Sequence, residues 1–204
     1  MNAVTRFKNY CDKFGRVNTA RKILYLFVYK SSIIPHYFRK LRFYFRTKCW
    51  VHYIGRGVVL RGIANLIIMG KDIALYEKVI FEISEEARLK IGDHFILSYG
   101  GLIACHYDIE IGNHVMIGEY TSIRDVSHDY AAEGISFIFQ KDIPEAIKIG
   151  NNVWIGRGCI ILPGTIIEDG VIIGANSVVK GYLRANGIYA GAPLKMVRQV
   201  YSKV

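Results

Sequence analysis

The sequence is poor in the residues that staple, break or span. Its four cysteines (Cys11, Cys49, Cys105, Cys159) are scattered, with no CxxC and no close Cys/His pairing. A disulfide framework and a zinc finger are therefore excluded. Four prolines and twenty glycines among 204 residues exclude a collagenous or linker-like chain. No uncharged stretch reaches the roughly 18 apolar residues of a membrane-spanning helix. The start, MNAVTRFKNYCDKFGR, lacks the apolar core of a secretory signal, so a cytoplasmic, reducing location is expected. Acid is scarcest in the first quarter. Residues 1–50 hold Asp12 as their single acid beside twelve Lys and Arg, whereas the rest of the chain holds fifteen bases and sixteen acids. The whole net charge of +10 thus sits at one end.

What the sequence does have is 51% apolar residues, enough for a packed core, and a repeat. From Ile149 an aliphatic residue recurs every six positions: Ile149, Ile155, Ile161, Ile167, Ile173, Val179. Four residues after each aliphatic comes a small or β-branched one, Val153, Cys159, Thr165, Val171 and Ser177, and glycine follows at Gly150, Gly156 and Gly174. Upstream, Ile91, Leu97, Ile103 and Ile109 share one phase, and Ile111, Ile117 and Ile123 share another shifted by two residues. A period of six is not helical, yet it preserves the two-residue alternation of a strand. One inward aliphatic per unit makes one side of a prism, and three units make a coil that stacks on the next at about 4.8 Å. The expected fold is an all-β solenoid, a parallel β-helix.

The expected organisation has three parts. Residues 1–53 form a basic, aromatic segment with thirteen of the chain's 26 Phe, Tyr and Trp, read as two helices broken near Pro35. Such composition suits a membrane surface, with a plain cap on the prism as the alternative and nucleic acid disfavoured. Residues 54–193 form the β-helix, irregular in its first coils. Residues 194–204 are a tail, with a short helix expected over about Leu194–Tyr201. Between Ile123 and Ile149 the period fails, so residues 124–148 are an expelled loop, and loops of that length on a rigid scaffold are usually functional.

The hexads, the expelled loop and the ending IYAGAPLK together resemble the left-handed β-helix (hexapeptide-repeat) acyltransferases over roughly residues 54–200. NNVWIGRGCIILPGTIIEDGVIIGANSVV is similar to the terminal coils of the galactoside and maltose acetyltransferase branch, and SHDY at 127–130 to the active-site segment of exopolysaccharide O-acetyltransferases. The basic start departs from the acidic helical start of the sugar acetyltransferases. That departure favours a lipid-linked or polymeric acceptor over a small soluble sugar. The resemblance implies a left-handed coil, a homotrimer with sites between neighbouring prisms, and acetyl-CoA as donor with no metal. The expected reaction is O-acetylation of a bacterial surface polysaccharide, at the inner face of the cytoplasmic membrane. N-acetylation of a nucleotide-linked amino sugar, or a non-enzymatic glycan-binding β-helix, are the alternatives.

Acyl transfer from a thioester to a hydroxyl needs a base for the hydroxyl proton and a donor for the oxyanion. His128 is the expected base, five residues past Ile123 where the chain leaves the solenoid. Asp125 and Asp129 flank it, and either could hold the far ring nitrogen. Trp154, last in its hexad, should point outward toward acceptor or neighbour. By their spacing from His128, Ser98 and, more weakly, His106 fall where the family contacts donor or acceptor, and both are assigned to the acceptor. Ala175 and Gly181 match positions beside the pantetheine arm, and Arg157, Lys180, Lys195 and Arg198 would meet the phosphates. His94 and His114 each follow a turn and read as corner residues. A zinc-dependent carbonic anhydrase on the same prism would need two histidines close in sequence, which His106, His114 and His128 do not supply.

Overall fold

A computed structural model describes residues 35–62, 67–131 and 133–201. The chain divides into two compact units after Leu41. A helix runs over residues 35–47 and ends where Lys48 takes a left-handed φ of 59°. Its last turn belongs to the second unit, where Phe43, Thr47 and Val51 are buried with the prism's lowest coil. From Phe43 onward, apolar positions of the basic segment fill the end of the second unit's core. The stretch before Pro35, expected to be a further helix, lies outside the described residues. Among the described residues no helix is long and apolar enough to cross a membrane.

The second unit is a parallel β-helix with three faces. Face A stacks Tyr53–Ile54, Ala74–Leu75, Ile96–Leu97, Met116–Ile117, Trp154–Ile155, Ile172–Ile173 and Gly187–Ala190. Face B stacks Val59–Gly62, Ile80–Ile83, Leu102–Cys105, Ser122–Arg124, Ile160–Ile161 and Val178–Val179. Face C stacks Ile67–Met69, Arg88–Ile91, Asp108–Ile111, Ile147–Ile149, Ile166–Ile167 and Tyr182–Leu183. Every aliphatic of the expected hexad run is inward and at most 2% exposed. Full burial of one such side chain is worth roughly 1.5–3 kcal/mol. The small residues between them turn the corners: Thr165 and Ser177 donate their hydroxyls to Leu162 and Gly174 carbonyls at 2.6 Å.

The two upstream phases have a simple cause. Strands of face C are four residues long in the middle coils, so Ile109 and Ile111 both point inward from Asp108–Ile111. One phase ends on the first and the other starts on the second. Coils there are longer, with Ile96 pairing Met116 twenty residues on, against eighteen from Trp154 to Ile172. A side-chain ladder holds the corner between faces C and A. The Oδ1 atoms of Asp93, Asn113, Asn151 and Asp169 each accept the backbone N–H of the residue one coil below. His94 and His114 sit on this corner in left-handed conformation, with rings stacked at 4.7 Å.

The C-terminal helix expected over Leu194–Tyr201 does not form. Lys195–Gln199 is a strand, antiparallel to Gly187–Ala190 at the top of face A. The last coil leaves an open row of N–H and C=O groups, and a strand satisfies them where a helix could not. Outward positions differ between faces. Face C carries the ion pairs Arg88–Asp108 and Lys90–Glu110 beside exposed Ile68, Ile166 and Tyr182, and faces A and B expose Met116, Trp154, Val59 and Ile160.

Candidate active site

The expelled segment is a hairpin whose root is Asp125. Strand alternation turns Asp125 inward after Ile123, and it is fully buried. Its carboxylate accepts the backbone N–H groups of His106 at 2.8 Å and Tyr107 at 2.9 Å, one coil below. Its carbonyl accepts Glu145 N–H at 2.8 Å and closes the neck. Burial first, then the Asp125 charge, pushes the neighbouring Cys105 thiol far up, so it stays protonated. Above the neck, Val126–His128 pairs antiparallel with Asp142–Pro144, and His128 stands opposite Asp142.

That register supplies the imidazole's partner. His128 Nδ1 lies 2.9 Å from Asp142 Oδ1, with side chains 72% and 57% exposed. A carboxylate there accepts Nδ1–H and leaves the Nε2 lone pair facing solvent. Neither flanking acid plays this part, which corrects the expectation. Asp125 is spent on two backbone groups, and Asp129, turned to the other side by alternation, accepts Ala131 N–H at 2.9 Å. Asp142 was not among the expected residues. The sequence offers only the weak signal of a second short strand, DIP, after a turn-rich stretch.

The remaining expected residues fall into separate places. His106 lies on the corner between faces B and C, one coil below the neck, its Nδ1 3.0 Å from Ser84 Oγ. Lys180 and Gly181 lie on the same corner above it. Lys180 Nζ is 3.7 Å from Glu145 Oε1 at the hairpin root. Gly181 has a left-handed φ of 90°, and nothing stands within 4 Å of where a Cβ would be. Ser98, Arg157 and Ala175 lie on the other edge of face B, at the corner with face A. Trp154 points outward from face A and is half exposed. Lys195 and Arg198 are exposed on the terminal strand. Thus one protomer brings His128, His106, Lys180 and Gly181 to one corner and leaves Ser98, Arg157 and Ala175 on another. Among the described residues no three His, Cys, Asp or Glu side chains form a metal-ligand cluster.

Comparison with known proteins agrees with this architecture. Residues 146–181 match the family described as bacterial transferase hexapeptide (six repeats). The chain is 28% identical over 193 residues to a probable acetyltransferase of Mycobacterium tuberculosis, across 91% of this chain and 64% of that one. It is 48% identical over 54 residues to WbbJ of Escherichia coli, named as a candidate lipopolysaccharide biosynthesis O-acetyl transferase, across 26% of this chain and 28% of that one. The solved structure of a galactoside acetyltransferase in complex with coenzyme A superposes with a TM-score of 0.58 at 27% identity, over 67% of this chain and 70% of that one. The chain has the left-handed parallel β-helix fold of the hexapeptide-repeat transferases and carries that repeat over residues 146–181. Within that class it is similar to the galactoside and maltose acetyltransferase branch and to WbbJ. It spans less than two thirds of the length of the curated relatives it matches first.

Proposed function

We propose that the protein transfers an acetyl group from acetyl-CoA to a sugar hydroxyl of a bacterial surface polysaccharide, with His128 as general base. The observation that carries this reading is the His128–Asp142 pair on a hairpin rooted beside Lys180 and Gly181. Nε2 takes the acceptor proton as the hydroxyl oxygen attacks the thioester carbonyl carbon. The tetrahedral intermediate collapses, the carbon–sulfur bond breaks, and the imidazolium returns its proton to the leaving thiolate. The products are an acetyl ester and CoA thiol, with no acyl-enzyme. A positioned base of this kind contributes roughly 10²–10⁴-fold.

Donor binding fits the residues present. The open space at Gly181 and the small Ala175 admit a pantetheine arm close to the backbone. Arg157, Lys180, Lys195 and Arg198 are exposed cations suited to phosphates. They stand on different corners of one prism, and in a homotrimer one protomer's hairpin corner and the neighbour's other corner would line a cleft between them. Exposed apolar side chains on the prism, such as Met116, Trp154 and Ile160, are compatible with such packing. Coenzyme A bound to the galactoside acetyltransferase supports the donor, and WbbJ's name supports the polysaccharide. The basic, aromatic residues 1–50 would hold the enzyme at an anionic membrane, near lipid-linked glycan. On the described part of that segment, Phe38 and Phe45 are exposed among Arg39, Lys40, Arg42 and Arg46.

The test is incubation of full-length protein and acetyl-CoA with a panel of surface-glycan fragments and amino sugars. Acceptor-dependent thiol release and an alkali-labile acetyl ester are expected. An alkali-stable amide formed only on amino sugars would replace this reading with N-acetyl transfer, which the same base could serve.

A further inference from the structure

The corner between faces A and B carries, below the expected donor residues, a string of tyrosines that the core does not need. Tyr53 and Tyr76 pack at 5.2 Å between ring centroids, and Tyr99 and Tyr120 at 5.3 Å, edge to face. Lys78 Nζ lies 5.4 Å above the Tyr99 ring, and Tyr53 donates its hydroxyl to Glu77 Oε1 at 2.8 Å. Tyr76 and Tyr120 are 42% and 57% exposed, so burial does not account for their size.

Backbone conformation sharpens the point. Each coil passes this corner through one left-handed residue. Three coils use Gly57, Gly100 and Gly158 and one uses Asn176, the residue types that tolerate it. Two coils instead place Lys78 (φ 59°) and Tyr120 (φ 58°) there. Residues other than glycine and asparagine are uncommon in that region, and the corner between faces C and A likewise holds His94 and His114 there. Gly100 completes the arrangement: a Cβ there would meet two Tyr120 ring carbons at 2.9 Å, so glycine lets the ring lie against the corner.

We propose that this corner is a binding strip for a glycan chain, extending the acceptor site downward from Ser98. The inference rests on the acetyltransferase reading, because Ser98 precedes Tyr99 directly and Arg157 and Ala175 continue the same corner upward. Phenol rings stack on the C–H faces of sugars and offer hydroxyls at their rims. The charges beside them balance, Arg56 and Lys78 against Glu77 and Glu119, which suits a neutral polyhydroxylated ligand rather than nucleic acid or an anionic membrane. Four coils at about 4.8 Å spacing make the strip about 14 Å tall, long enough for a short oligosaccharide rather than one sugar.

Full-length protein would be titrated against an array of bacterial O-antigen and capsule fragments graded from single sugars to hexasaccharides. Affinity is expected to rise over the first few units. Tyr99→Ala and Tyr120→Ala should each weaken the longer ligands about three- to tenfold. Gly100→Ala, which displaces the Tyr120 ring, should act in the same direction, while Tyr120→Phe retains most binding. Affinity independent of length, a silent array, or variants that bind like wild type would overturn the strip. So would variants that change the sedimentation coefficient but not the affinity, which would make the corner a contact between copies. Length-dependent binding without CoA thiol release would leave the strip standing and remove the transferase reading. Thiol release with no dependence on acceptor length would remove the strip alone.

Discussion

His128 is so exposed that the protein gives it little except direction, and Asp142 gives that. Replacing Asp142 with Ala should lower kcat about five- to tenfold, the worth of one exposed charge-assisted hydrogen bond of roughly 1 kcal/mol. Steady-state kinetics with saturating donor checks this, and an unchanged kcat would mean that the ring orients itself. Asp125 acts differently. Asp125→Ala leaves two N–H groups without their buried acceptor at the hairpin root, a loss of about 2–4 kcal/mol seen as a lower melting temperature. A variant melting with wild type would contradict that role. The place of His128 on the expelled segment was legible in the sequence because it lies just past the last hexad aliphatic, Ile123. Asp142 was not, because hairpin register decides it. No strong alternation fixes that register in VSH and DIP, so sequence neighbours Asp125 and Asp129 looked nearer than they are.

Among elements, the upper coils could be read residue by residue, since each hexad has one inward aliphatic from Ile149 to Val179. The lower coils were harder. Four-residue strands there put two aliphatics inward, as with Leu89 and Ile91, and their corners vary in length. The tail misled because Leu194, Val197 and Tyr201 fit a helical spacing. An unpaired strand edge at Gly187–Ala190 outweighs that local preference, and only the assembled sheet reveals the edge. Hydrogen exchange tests this element directly. Amides of Lys195–Gln199 that face Gly187–Ala190 should exchange slowly, alternating with fast ones. Uniform fast exchange across the segment would contradict the strand.

For the whole molecule, the separation of charge dominates: a near-neutral β-helix follows a segment of net +11 over residues 1–50. A soluble cap would gain nothing from such excess, whereas an anionic surface attracts it within a Debye length of about 8 Å at physiological salt. Full-length protein should sediment with phosphatidylserine vesicles in a salt-sensitive manner, and protein lacking residues 1–41, which leaves the buried Phe43 and Thr47 in place, should not. Equal sedimentation of both would remove the membrane from the account.

The central claim is that this β-helix is an acyltransferase whose base is His128. Its most direct test is thiol release from acetyl-CoA, with a glycan acceptor, by wild type and His128→Ala, alongside calorimetric titration of CoA. The expected result is a rate lower by roughly 10²–10⁴-fold in the variant with CoA affinity unchanged. Release at the wild-type rate by His128→Ala would contradict the assignment.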